Sequence, residues 1–221
     1  MMTHNKHLRI SKSATTDFLE FKTDTFLQKL HIFFAKKHPI VFAAGTAPMT
    51  KDRSEIKEIF FATNFSHAYF ADPMYKVSQV LEWEQESLRS FAEIKKRESN
   101  TLYFFVNNLI RSITFLPVDA TISETMPKKF NIFFSGKRVG LYPGFPLRGT
   151  PSDYLAEIIK KLPREGFLVP DRDLTDDTIY FPITPQELGL QEVFRVKPQG
   201  YILGEDILFS ENKGLALYKK G

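Results

Sequence analysis

The sequence predicts an α+β fold: a helix-rich N-terminal half followed by a mainly antiparallel β-sheet with one or two packed helices. Three observations lead there. Before residue 117, apolar residues recur at helical spacing in several stretches. From about residue 128 the chain breaks into short runs of aromatic and β-branched residues, punctuated by Gly, Pro, Asn and Asp. The composition, 43% hydrophobic and 25% charged over 221 residues, is that of a globular protein.

Residues 1–13 are polar and basic and read as a flexible arm. A helix is expected over 16–37. It opens on the capping-box-like pair Asp17 and Glu20, carries Leu19, Phe26, Leu30 and Phe33 inward, and stops at Pro39. PIVFAAGTAP (39–48) is a buried strand running into a loop of small residues. Segment 51–65 is weakly amphipathic, with Ile56, Ile59 and Phe60 on one helical face. Asp72 is a helix cap and Pro73 suits the first helical position, where its missing N–H is not needed. From there the spacing predicts a helix to about residue 97, supported by the opposite-charge pairs Arg89–Glu93 and Glu93–Arg97.

Segment 101–117 fits two structures. Leu102, Phe105, Leu109, Ile113 and Leu116 could line a helix, while Asn107-Asn108 could form the tight turn of a hairpin. Beyond it, FNIFF, SGKR and VGLY read as a hairpin, and SDYLAEIIKKL (152–162) as an amphipathic helix. GFLVP and TIYFPI follow as strands, then a capping box at Thr184 and Glu187 that ends at Gly189, then further strands to the C-terminus. Residues 14–221 are expected to form one composite domain, with 118–129 the candidate boundary of a subdomain.

The chain contains no cysteine, which excludes a disulfide scaffold, a thiol nucleophile and cysteine-ligated metal. No apolar segment reaches the ~20 residues of a membrane span, and the first residues lack the apolar core of a signal peptide. A cytoplasmic protein is expected.

Four stretches raise questions of chemistry. FFSGKRVGLYPG (133–144) has a glycine and Lys137, yet a phosphate loop needs a second glycine five residues earlier, a hydroxyl after the lysine and a following helix. Asn131, Arg138 and Pro143 deny all three. The stretch is still basic: Lys128, Lys129, Lys137, Arg138 and Arg148 have no acid among them, and Phe133, Phe134 and Tyr142 could stack on bases. The cluster Asp171, Asp173, Asp176 and Asp177 offers oxygen ligands but lacks the glycine and distal glutamate of a calcium loop. Among five histidines only His67, near Asn64 and Asp72 in sequence, is a candidate general base. AAGTAP (43–48) could expose backbone N–H groups, but no nucleophile accompanies it. No stretch carries a serine elbow, a dinucleotide fingerprint or another family signature.

The 22 Phe, the basic excess over 101–150, the acidic excess over 151–221 and the lack of catalytic motifs point to a non-enzymatic protein-binding module. Such an adaptor, chaperone-like or inhibitory subunit would present an aromatic surface with a charged rim, needing no cofactor. The alternatives are a nucleic-acid-binding protein using the 128–148 hairpin and an enzyme of unrecognised type.

Overall fold

Helix α1 covers 26–34 and closes in a turn over 35–37, just ahead of Pro39, which cannot extend it. It belongs to a computed structural model that describes residues 26–48, 51, 54–118, 126–135, 151–170, 184–196 and 215–221. The chain then runs through strand β1 (Ile40–Ala44), helix α2 (Ile56–Thr63) and strand β2 (His67–Ala71). Ile56, Ile59, Phe60 and Thr63 recur at three- and four-residue intervals and make the buried face of α2. Asn64 ends that helix in the left-handed conformation, φ 49°, with its N–H on the Phe60 carbonyl at 2.7 Å.

Asp72 caps as the sequence predicts: its carboxylate accepts from the Met74 N–H at 2.9 Å. The long helix expected beyond it is corrected. A 3₁₀ turn (Pro73–Lys76) gives way at the extended Val77 to helix α3 (Ser78–Arg89), which buries Val80, Glu84 and Leu88. Residues Glu93–Glu98 form strand β3 instead. Arg89, Glu93 and Arg97 therefore make no helical pairs. Lys96 and Glu98, two apart on one face of the strand, pair instead. Cross-strand bonds to the next strand outweigh the weak helical charge pattern, each such pair being worth only ~0.3–0.5 kcal/mol.

Segment 101–117 is a hairpin, β4 (Thr101–Val106) and β5 (Leu109–Leu116). Asn107 (φ 50°) and Asn108 (φ 62°) supply the two positive φ angles that match strand twist. Asn108→Ala should cost about 1 kcal/mol, because alanine lacks asparagine's tolerance of that region. Urea denaturation measures this, and an unchanged midpoint would refute it.

The remaining elements are β6 (Ile132–Ser135), α4 (Pro151–Lys161), β7 (Phe167–Val169), β8 (Leu190–Val196) and β9 (Leu215–Lys220). The capping box predicted ahead of β8 is present. The Thr184 N–H donates to Glu187 Oε2 at 2.7 Å, and the Glu187 N–H donates to Thr184 Oγ1 at 3.3 Å. The Lys220 ammonium closes α4 by donating to the carbonyls of Ile159 and Leu162 at 2.7 Å each.

The described strands form a single nine-stranded sheet in the order β3-β4-β5-β2-β1-β6-β7-β9-β8. Its centre, β5-β2-β1-β6-β7, is parallel, and antiparallel strands flank it on both sides. With β3 and β4 set aside as an added edge, the strands in chain order read 3-2-1-4-5-7-6. Two antiparallel steps return β8 to the direction of β7. This is a Rossmann-like, doubly wound sheet, and the α+β expectation is corrected. The parallel strands are three to eight residues long and apolar. Such runs name no partner and are as compatible with a hairpin as with a crossover.

The hairpin expected at 130–142 is corrected for a related reason. Strand β6 has β1 on one side and β7 on the other, both parallel. A strand has two edges, and neither is left for an antiparallel neighbour from the residues that follow.

Helices cover both faces of the sheet. On one, α1, α2 and α3 pack Phe34, Ile56, Phe60 and Leu88 onto Val41, Ala43, Phe70 and Phe104. On the other, α4 brings Ile158, Ile159 and Leu162 onto Phe42, Phe133 and Leu168. The large apolar side chains exposed among the described residues are Ile32, Met74, Val77, Leu109, Ile110 and Val193; none is Phe. Among the described residues no helix is long and apolar enough to cross a membrane.

Candidate ligand site at the carboxyl edge of the sheet

Four neighbouring strands end level with one another. The register sets Leu116 of β5 beside Ala71 of β2, Ala71 beside Ala44 of β1, and Ala44 beside Ser135 of β6. The chain leaves β1 toward β2 on one side, and β6 enters on the other. The strand order therefore reverses between β1 and β6, and such a reversal opens a crevice outside the carboxyl ends of the strands.

Two residues shape the floor of that edge. Gly45 turns the chain out of β1 with φ 68°, a conformation a side chain would strain, and its N–H donates to the Ala71 carbonyl at 2.9 Å. Asp72 follows β2, and its N–H donates to the Leu116 carbonyl at 3.1 Å. Its carboxylate joins two loops, accepting from the Ala47 N–H through Oδ2 at 3.2 Å and from the Met74 N–H through Oδ1. The turn at 45–48 is thus tied to the start of the next crossover.

A second tie runs deeper. Thr46 Oγ1 lies 3.1 Å from the Tyr75 hydroxyl, which donates to Glu84 Oε1 at 2.8 Å. Thr46 Oγ1, the Tyr75 hydroxyl and Glu84 Oε1 thus form one hydrogen-bonded line. Thr46, Tyr75 and Glu84 are all buried, Glu84 at 0% exposure. Burial pushes the Glu84 carboxyl up to about 8; the Ser54 and Tyr75 hydroxyls pull it down, and Glu55 and Glu58 push it up further. Glu84 Oε2 makes no hydrogen bond of good geometry among the described residues. The Tyr75 phenol is raised well above its ordinary value by burial and by the Glu84 carboxyl.

His67 stands at the opposite end of β2 from Asp72. Its Nδ1 is 2.6 Å from Ser112 Oγ and its Nε2 3.5 Å from Thr114 Oγ1, and burial lowers its pKa. Lys128 and Lys129 are exposed and precede the amino end of β6, whereas Lys137 and Arg138 follow its carboxyl end in sequence. Strand β6 therefore separates the two halves of the basic run. Phe133 and Phe134 are core residues of β6, 0% and 8% exposed on opposite faces, and offer no ring to a base. Lys137, Arg138, Tyr142 and Arg148 lie outside the described residues, as do Asp171, Asp173, Asp176 and Asp177 and the arm 1–13. Among the described residues no group of three or more His, Asp or Glu could hold a metal ion.

Sequence reasoning did not assemble Gly45, Thr46, Asp72, Tyr75 and Glu84. One signal was present: an apolar run ending in glycine, a helix, then an apolar run ending in aspartate, which is the pattern of a βαβ unit. Another was Glu84 itself, four residues from both Val80 and Leu88 on the buried stripe of α3.

No protein-family profile matches the sequence, and no curated protein matches it. Several solved structures are similar in fold. TrmN from Thermus thermophilus superposes with a TM-score of 0.48 at 15% identity, over 88% of this chain and 48% of that one. Precorrin-6y C5,15-methyltransferase from Geobacter metallireducens gives 0.46 at 14% identity, over 89% and 88%. An rRNA methylase from Streptococcus thermophilus gives 0.46 at 13%, over 87% and 94%. The chain spans about half the length of TrmN. Likenesses this distant assign neither substrate nor activity.

The non-enzymatic binding module is corrected here. Among the described residues no Phe is exposed, and all but Phe105 belong to or pack against the two core layers, so no aromatic surface of the expected kind is present there.

Proposed function

We propose that the protein is an enzyme that binds a nucleoside-bearing, phosphate-free cation at the carboxyl edge of β1 and β2, with methyl transfer as its reaction. The observation that carries this reading is the pairing of Gly45 and Asp72 at a strand-order reversal, without the features that bind phosphate. In a dinucleotide fingerprint the second glycine lets the backbone approach the pyrophosphate. Here Ala47 stands at that spacing, buried, with its N–H already given to Asp72. A pyrophosphate also needs a helix N-terminus at the turn. Helix α2 starts only at Ile56, with Glu55 at its cap and Glu58 in its first turn. Those carboxylates occupy the end of the helix dipole that would otherwise attract an anion.

S-adenosylmethionine fits this description, since it carries a ribose, an adenine and a sulfonium but no phosphate. When bound, it would supply a methyl group on that sulfonium for transfer to a nucleophile, leaving a thioether. The chain's own residues hold the turn: Gly45 by its φ angle, Asp72 and Thr46 by their bonds to the loops.

Isothermal titration with S-adenosylmethionine, S-adenosylhomocysteine, NAD and ATP tests the reading. The two adenosyl sulfur compounds should bind and the two phosphate compounds should not. Gly45→Val should weaken binding at least tenfold, because a β-branched residue cannot hold φ 68° without strain. Preference for NAD or ATP, or no binding by any of the four, would refute it.

A further inference from the structure

The turn after β1 is held from below by a side chain from a different crossover. Glu84 belongs to α3, between β2 and β3, yet through Tyr75 its carboxyl reaches the hydroxyl of Thr46. All three side chains are inside the protein. The groups facing Glu84 are the Tyr75 phenol from the 3₁₀ turn, the Ser54 hydroxyl ahead of α2, and the carboxylates of Glu55 and Glu58 at the start of α2. Asp72 adds its charge at Tyr75. None of the side chains named carries a positive charge.

A buried carboxyl so placed has a task that packing alone does not explain. A leucine on the Val80–Leu88 stripe would fill the space without a desolvation cost. We propose that Glu84 is the positioning residue of the turn after β1: through Tyr75 it holds Thr46 and so sets the backbone at 45–48 against which the ligand lies. Ionising Glu84 places a charge beside the carboxylates of Glu55 and Glu58, and none of the described groups named against it is a cation. Movement of α3 toward solvent relieves that charge, and it carries the Glu84 carboxyl, and with it the line to Thr46, away from the turn. The ligand end of this inference rests on the reading given under Proposed function. The line from Glu84 to the turn does not.

Two measurements separate them. The first is the affinity for S-adenosylhomocysteine between pH 6 and pH 9.5. The wild type should bind about tenfold more weakly at pH 9 than at pH 7, following the neutral fraction of a group that titrates at about 8. Glu84→Gln, which keeps a neutral acceptor for Tyr75, should lose that pH dependence. Tyr75→Phe, which cuts the line, should bind weakly throughout. Equal pH profiles for wild type and Glu84→Gln would overturn the proposal.

The second is hydrogen exchange at the Ala47 amide, corrected for the intrinsic pH dependence of exchange. Protection should fall in the wild type between pH 6.5 and pH 9 and persist in Glu84→Gln. The same loss in both proteins would overturn the proposal even where the probe binds. Absence of probe binding would refute the nucleoside reading and leave this second result to decide the role of Glu84.

Discussion

Raising the pH from 5 to 8 will lower the stability of the wild type relative to Glu84→Gln by roughly 1 kcal/mol for each pH unit. The sign follows from where the proton resides. In the unfolded chain Glu84 titrates at its ordinary value of 4.5, and in the folded protein at about 8. Between those values the folded state holds a proton that the unfolded state has released. Each step upward in pH therefore favours unfolding. The stabilisation is fully present below pH 4.5 and is lost as pH rises through 8. Glutamine carries no ionisable proton and removes this term, so the difference between the two proteins isolates it from every other titrating group. Across the window the difference reaches several kcal/mol, a large part of the ~5–15 kcal/mol that holds a domain folded. Urea denaturation at pH 5.0, 6.5 and 8.0 measures it. Parallel stability curves would show that Glu84 is ionised in the folded protein.

The second large effect concerns two side chains that the sequence offers to a core or, in the alternative reading, to a stacked base. Phe133→Ala and Phe134→Ala should each cost about 3–5 kcal/mol, the usual loss for truncating a buried phenylalanine. Phe133 packs on the α4 side, its ring 5.3 Å from that of Phe42, and Phe134 on the α1–α3 side. Because β6 lies between β1 and β7, neither cavity can close by moving an edge strand. Denaturation midpoints read both variants. A loss below 1 kcal/mol in either one would place that ring at the surface and restore it as a stacking residue.

Much of the local structure was legible in the residues. Asp72 caps, Pro73 opens a helical turn, and Thr184 and Glu187 cap each other, while Asn107-Asn108 left helix and hairpin both open until the strands paired. Each of the first three depends on atoms within a few residues, so a short window holds the whole interaction. The strand pairs were not legible. IVFAA of β1 carries apolar groups toward both faces and no mark of β2 or β6 as neighbours. EIKKRE of β3 has helical charge spacing but becomes a strand, because β4 lies alongside it.

The candidate site divides the same way. Gly45 and Asp72 stood in a pattern that length and spacing could have shown, a glycine after one apolar run and an acid after the next. Thr46, Tyr75 and Glu84 could not be joined from spacing, since α2 and β2 lie between Thr46 and the other two and the three meet only when α3 folds against the end of β1. His67 and Asp72 are near neighbours in sequence, but five residues of strand hold them at opposite ends of β2. An extended chain advances ~3.3 Å per residue, so a short separation along a strand is a long one in space.

By itself the sequence determined the caps, the turns, the absence of any cysteine chemistry and the apolar content from which two core layers could be built. Only the tertiary structure decided the parallel order of the central strands, the crevice where that order reverses, and the burial that pushes the Glu84 carboxyl up. Caps and turns are contacts of the chain with itself over a few bonds. Strand order and a shifted proton depend on which distant segments exclude water from a given group, and no local run of residues carries that information.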